Sequence, residues 1–101
     1  MSLRISVDRK AIEQFCKRNH IKRFAFFGSV LRDDFRPDSD VDVLVEFEPG
    51  LTVGYFKLYN VEQELSVLLG GRKPDLVNPK YLNHQIRDRV LSEAQVQYAE
   101  G

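Results

Sequence analysis

The sequence contains one cysteine and no tryptophan, and it has no long hydrophobic run. The single cysteine, Cys16, excludes an intramolecular disulfide and any metal site built from several thiolates. No apolar stretch approaches the ~20 residues that a membrane-spanning helix needs, so we expect no membrane partner. The first residues lack the apolar core of a secretory signal peptide, and we therefore expect a cytoplasmic protein.

Excess charge of one sign is also missing. Lysine and arginine together number 15, as do aspartate and glutamate, which gives a formal net charge of +0 at pH 7. A neutral chain has no overall attraction to nucleic acid, so we expect no direct nucleic-acid binding. The charges are unevenly spread, because residues 38–75 hold eight acids and three bases. Such a segment is typical of a solvated surface and also of a cation site.

The chain does have the size and composition of one folded unit. It has 101 residues, of which 43% are hydrophobic and 30% charged. These proportions are typical of a globular protein, and the length is that of one domain. No repeat or linker divides the sequence, so we expect residues 1–101 to form a single domain.

Hydrophobic spacing predicts alternating helices and strands. The predicted helices cover 8–19, a short segment from Ser29 to about Asp34, 53–69, and a last segment that begins after Asn78 and ends at about Tyr98. The predicted strands cover 22–27, 41–47 and 73–77. The last helix would bury Leu82, Ile86, Val90, Leu91 and Ala94. This order predicts an α/β fold, a small mixed three-stranded sheet flanked by about four helices, which further strands could extend.

Two short motifs lie where predicted strands begin or end. Gly28 and Ser29 follow the first strand, where glycine permits close backbone approach and a helix start offers N–H groups to a phosphate. Most such pairs are ordinary turns. Asp40 and Asp42 open the second strand with the spacing that places both carboxylates on one face. They could be exposed turn residues, or a pair held together by a cation such as Mg²⁺.

A third acid, Asp75, lies in the third predicted strand and could simply face water at a sheet edge. The Gly28 and Ser29 turn meets Asp40 and Asp42 only if the first two strands are antiparallel. A helical crossover then makes the third strand parallel to the second, which brings Asp75 to the same edge. Three carboxylates beside a phosphate-binding turn fit two-metal nucleotidyl transfer.

In that chemistry Asp40 and Asp42 would hold two Mg²⁺ ions and, through them, a nucleoside triphosphate. Asp75 would complete the second metal site and orient or deprotonate an incoming hydroxyl. The metals would stabilise negative charge on the attacked phosphorus and on the leaving pyrophosphate.

The spacing Gly28-Ser29, ten residues, then Asp40-Val41-Asp42 resembles a known signature. With its flanks, FFGSVLRDDFRPDSDVDVLVEF, it is similar to the minimal nucleotidyltransferase branch of the polymerase-β-like nucleotidyltransferase superfamily. The resemblance extends over nearly the whole chain and implies that superfamily's fold. The residues after Ser29, and Pro74 before the third acid, depart from the family's usual pattern.

The resemblance implies an antitoxin that forms a hetero-oligomer with a helical HEPN-domain ribonuclease toxin. It also implies transfer of AMP from ATP, with magnesium, to a tyrosine of that toxin. By position it implies that Gly28, Ser29 and Arg32 bind the nucleotide, and that the catalytic metal ligands are Asp40, Asp42 and Asp75.

Two other functions fit the sequence. An antitoxin could neutralise its partner by binding alone, with the acids retained only for nucleotide binding or without a function. A transferase could instead act on a small molecule such as an aminoglycoside, although 101 residues leave little room for an acceptor-binding domain. Three clustered acids favour the enzyme over the binding module.

Overall fold

The computed structural model describes residues 7–32, 35–36, 38–50 and 52–100. Helix α1 covers Arg9–Arg18, α2 covers Tyr55–Leu68 and α3 covers His84–Glu93. The strands are β1 (Ile21–Phe27), β2 (Val41–Phe47), β3 (Pro74–Val77) and β4 (Gln95–Ala99). Short 3-10 turns at Gly28–Leu31 and Pro79–Tyr81 follow β1 and β3.

The strands form a mixed sheet in the order β3-β2-β1-β4. Strand β2 pairs antiparallel with β1, which is the direction that the two motifs need in order to meet, and parallel with β3, as the helical crossover predicts. β3 lies at an edge of the sheet, which fits the proline at its first position. The α/β class and the mixed sheet are therefore confirmed.

The hydrophobic core lies between the sheet and helices α1 and α2. Asp8 caps α1, because its carboxylate accepts hydrogen bonds from the N–H groups of Lys10 and Ala11. The core aromatic rings pack edge to face, with Phe24 in contact with Phe15 at 6.1 Å and with Phe26 at 5.3 Å between centroids. Other buried members of the core are Ile12, Cys16, Val41, Val43, Val45, Val61 and Leu65.

The prediction of one long final helix is wrong. The segment forms a 3-10 turn, the helix α3 and then β4, which pairs antiparallel with β1. None of the residues expected to be buried there (Leu82, Ile86, Val90, Leu91 and Ala94) is fully buried. Ala94 adopts an extended conformation that ends α3. The outer edge of β1 supplies hydrogen-bonding partners to the segment that follows, and Tyr98 packs against the core.

Helix α2 carries an exposed aromatic group at its start. Tyr55, Phe56 and Tyr59 are 92%, 89% and 60% exposed, so packing in the core does not account for them. No helix within the described ranges is both long and apolar enough to cross a membrane.

Candidate active site

The sheet brings the sequence motifs to one edge through strand register. Asp42 lies opposite Phe27, the last residue of β1, in the antiparallel pair. The same Asp42 lies beside Asp75 in the parallel pair of β2 and β3. Because paired residues share a face of the sheet, the two carboxylates project to the same side, next to the turn that begins at Gly28.

Gly28 makes this close approach feasible. Its φ of +72° is in the left-handed region that disfavours residues with a Cβ. A Cβ at this position would also overlap the Oδ2 atom of Asp42. The glycine is therefore required both by the backbone conformation and by the neighbouring carboxylate.

Ser29 links the turn to Asp42, which lies in β2, and to Asp40, which comes just before that strand. Its backbone N–H donates to the Asp42 carboxylate, and its Oγ donates to the carbonyl oxygen of Asp40 at 3.4 Å. The sequence predicts a helix from Ser29 to about Asp34, but the structure has a four-residue 3-10 turn over Gly28–Leu31. The predicted end at about Asp34 lies outside the described residues. A turn this short has no helix dipole to offer a phosphate, so individual N–H and hydroxyl groups must do the binding.

The electrostatics of the site centre on Asp42. Partial burial raises the pKa of the Asp42 carboxyl, and the nearby negative charges of Asp75 and Asp40 raise it further. The Ser29 N–H and the positive charge of Arg32 act in the opposite direction on that pKa. Asp40, Asp75 and the cation Arg32 therefore all lie within electrostatic reach of Asp42.

The donor set fits a hard cation. Asp40 and Asp75 are exposed, and Asp42 is partly buried. Within the described residues, no group of three or more Asp, Glu, His or Cys side chains is arranged to hold a metal ion by itself. Mg²⁺ is usually bound through one or two carboxylates plus substrate phosphates, with water molecules completing its shell. The residues fit Mg²⁺ that arrives with a nucleotide.

One contact near this edge has no signal in the sequence. The guanidinium of Arg72, two residues before β3, lies 5.2 Å from the ring centroid of Phe35, which follows the 3-10 turn. The two residues are far apart in the chain, and neither is among the six site residues that the resemblance implies. Only the three-dimensional fold brings them together.

The two histidines stay outside the site. His20 contacts Glu48 through Nδ1 at 3.3 Å, and His84 contacts Asp88 within α3 at the same distance. Both side chains are exposed, as expected for surface histidines.

A mixed sheet that joins a glycine–serine turn to paired aspartates at one edge defines a nucleotidyltransferase. Residues 8–96 match the family described as the nucleotidyltransferase domain, and the chain belongs to this family. It is 39% identical over 79 residues to the protein adenylyltransferase MntA of Thermococcus cleftensis, covering 76% of this chain and 75% of that protein. It is 33% identical over 88 residues to a Methanocaldococcus jannaschii protein to which protein adenylyltransferase activity is ascribed, covering 87% and 90%.

Solved structures share the fold. A candidate minimal nucleotidyltransferase superposes with a TM-score of 0.71 at 38% identity, over 86% of each chain. A toxin–antitoxin complex with AMP-PNP gives a TM-score of 0.70 at 18% identity, covering 92% of this chain and 74% of that one. The complex of a tri-AMPylated Shewanella oneidensis HEPN toxin with an MNT antitoxin gives 0.62 at 18%, covering 90% and 69%. The expected family, fold and enzyme class are confirmed.

Proposed function

We propose that this chain is an antitoxin that transfers AMP from ATP to a tyrosine hydroxyl of a HEPN ribonuclease toxin. The observation that carries the proposal is the convergence of Asp42 with Asp75 on one side and with Gly28 on the other. The named activity of the MntA relative and the toxin complexes among the similar structures support the choice of acceptor. Residues 1–101 would form one nucleotidyltransferase domain.

The nucleotide would bind at the turn after β1. Gly28 leaves the backbone open to a phosphate group because it carries no side chain. Ser29 supplies a hydroxyl, which at present donates over a long 3.4 Å to a carbonyl and can turn to a phosphate oxygen. Arg32 is exposed beside the carboxylates and would pair with the triphosphate.

The carboxylates of Asp40, Asp42 and Asp75 would hold two Mg²⁺ ions. Bound metal would neutralise the charge that develops on the transferred phosphate and on the leaving group. Burial raises the pKa of Asp42 and the charges of Asp75 and Asp40 raise it further, and a bound cation would offset both effects. The site is therefore suited to a cation for an electrostatic reason as well as by donor type.

The reaction forms one bond to phosphorus and breaks another, and it transfers one proton. The acceptor oxygen attacks the α-phosphorus of ATP, the bond from that phosphorus to the β-bridging oxygen breaks, and pyrophosphate leaves. Asp75 is exposed at the sheet edge, where it would orient the acceptor hydroxyl and take its proton. Arg32 and Ser29 would keep contact with the triphosphate while charge moves towards the leaving group.

A partner protein would present the acceptor. A cavity of about 680 Å³ lies at the other end of the sheet, where Glu46, Tyr81 and Arg87 contribute to its lining, and it includes none of the six site residues. The carboxylate edge is instead open to solvent at Asp40 and Asp75. An open edge suits a hydroxyl carried on the surface of another protein.

The experiment is co-expression with the protein encoded beside this chain, followed by the intact mass of that partner. Wild type is compared with Asp40→Ala/Asp42→Ala and with Asp88→Ala, an exposed acid on α3 that serves as the control. We expect whole AMP units on the partner with wild type and with the control variant, and none with the double variant. An unmodified partner that co-purifies with all three proteins would favour neutralisation by binding alone.

A further inference from the structure

We propose that Arg72 is a positioning residue for the active-site edge. By stacking on Phe35 it fixes the segment that carries Arg32 and Asp40 relative to the strand that carries Asp75. This inference rests on the proposed function, because it assigns a role in the binding of the nucleotide.

Phe35 connects the contact to the nucleotide-binding turn. Its backbone N–H donates to the carbonyl oxygen of Arg32 at 3.3 Å, and the Arg32 N–H donates to the Ser29 carbonyl at 2.9 Å. The Phe35 ring is partly buried against the hydrophobic core. A side chain that holds this ring in place therefore also holds the backbone on which Arg32 is mounted.

The backbone at Arg72 and Lys73 is hydrogen-bonded to α2 and to β2. The carbonyl oxygen of Arg72 accepts a hydrogen bond from the Ser66 hydroxyl on α2 at 2.9 Å. The next residue, Lys73, accepts from the N–H of Val41, the first residue of β2, also at 2.9 Å. The backbone of Arg72 is thus anchored to the frame that sets the position of Asp75, so its contact with Phe35 links that frame to the nucleotide-binding turn.

Asp40 needs such support because it lies just outside the sheet. It precedes the first residue of β2, it is exposed, and its carbonyl accepts a long hydrogen bond from the Ser29 hydroxyl. The turn before it is closed by the Ser39 N–H donating to the Arg36 carbonyl at 3.0 Å, and by the Arg36 N–H donating to the Ser39 hydroxyl at 3.2 Å. The turn begins at Arg36, which directly follows Phe35, so a contact that fixes Phe35 also restrains the start of the turn.

Loss of the stacking contact would lower the fraction of molecules with Arg32 and Asp40 in place. The apparent affinity for a nucleotide falls in proportion to that fraction. Because the free energy of a cation–π contact at a partly exposed site is small, its loss should weaken nucleotide binding by no more than about fivefold.

The test is a double-variant cycle on the full chain. Arg72→Met, Phe35→Leu and the combination are compared with wild type for binding of α,β-methylene-ATP with Mg²⁺ by calorimetry, since this analogue cannot release pyrophosphate. Lys80→Met is the matched control, because Lys80 lies 5.9 Å from the Tyr81 ring in a second cation–π pair that belongs to none of the site elements. Thermal unfolding of every variant separates loss of fold from loss of position.

We expect each single variant to bind the analogue about three- to fivefold more weakly and the combination to be no worse than either, as for two residues acting through one contact. Lys80→Met should bind the analogue like wild type even if its melting temperature falls as much as that of Arg72→Met. Additive losses, or equal losses in the control, would overturn the positioning role. Wild type that binds no analogue would overturn the proposed function and the inference with it.

Discussion

Gly28 packs directly against the carboxylate of Asp42 at the edge of the sheet. The Cα of the glycine faces the aspartate carboxylate so closely that a Cβ would overlap Oδ2. The neighbouring Ser29 N–H then donates to the same carboxylate. The first half of the sequence motif is thus in direct contact with the second half, which explains why a glycine must begin the turn.

Gly28→Ala should therefore lose both activity and stability. The left-handed φ alone costs an alanine about 1–2 kcal/mol, and the overlap must also displace Asp42. We expect a loss of about 2–3 kcal/mol in the free energy of unfolding, measured by chemical denaturation, and at least about a tenfold loss of AMP transfer.

Gly70→Ala is the control for backbone strain. Its φ of +73° is almost the same as that of Gly28, and nothing lies within 4 Å of a Cβ there. It should lose about 1–2 kcal/mol of stability but keep its activity at temperatures where it is folded. Equal losses of activity in the two variants would show that contact with Asp42 is not what matters.

Asp42→Asn should raise the stability of the protein in the absence of nucleotide. It should also lower the rate of AMP transfer by at least about 100-fold, as expected when a metal ligand is lost. Burial and two like charges raise the pKa of Asp42, so its ionised form opposes folding at pH 7. As pH falls through the raised pKa, wild type gains a proton in the folded state and recovers that stability. The excess in melting temperature of the variant should shrink towards pH 3.8, the ordinary value. An excess that grows on acidification would contradict the account.

Ser29→Ala should weaken nucleotide binding by about tenfold, the value of one hydrogen bond to a charged group. Its Oγ makes only a long bond within the protein, so stability should change little. Ser92→Ala on α3 removes a hydroxyl that donates to the Arg89 carbonyl at 2.8 Å and should not alter nucleotide affinity. Titration with α,β-methylene-ATP and Mg²⁺ measures both. Unchanged affinity in Ser29→Ala would exclude the hydroxyl from the site.

Tyr98→Ala should destabilise the fold through β4. Tyr98 pairs with Phe24 across the sheet and packs against the core, so we expect a loss of about 2–4 kcal/mol in the free energy of unfolding. Tyr81→Ala is the matched control, since that ring is 80% exposed and should cost less than about 0.5 kcal/mol. Equal stability of the two variants by urea titration would show that β4 contributes little.

Cys16 should be almost unreactive in the native protein. The side chain is fully buried, and burial raises the pKa of its thiol to about 12. Labelling by a thiol reagent at pH 8 should be at least about 100-fold slower than in denaturant. Labelling at the denatured rate under native conditions would mean that α1 leaves the core readily.

The sequence predicts the site better than it predicts the end of the fold. Strand patterning and one helical crossover indicate the relative directions of β2 and β3, so the meeting of Asp42 and Asp75 could be anticipated. Strand β4 was harder to predict, because Ala94 and Tyr98 continue the four-residue apolar spacing of the preceding helix, although Gln95, Val96, Gln97 and Tyr98 also alternate as in a strand. What decides its structure is the unpaired edge of β1, a tertiary feature.

The sequence also predicts a helix after Gly28, where the structure has a short 3-10 turn. A local sequence shows that a turn begins there but not how soon it ends. The contact of Arg72 with Phe35 has no local signal at all, since it depends on the two segments packing side by side.

The central claim, that this edge moves AMP, is tested most directly with labelled ATP. Purified chain and partner are incubated with Mg²⁺ and ATP that carries the label on either the α- or the γ-phosphate, using wild type and Asp42→Asn. The account predicts stable label on the partner from α-labelled ATP alone, with release of pyrophosphate, and none with the variant. Label transferred from the γ-phosphate, or a partner neutralised without any label, would contradict it.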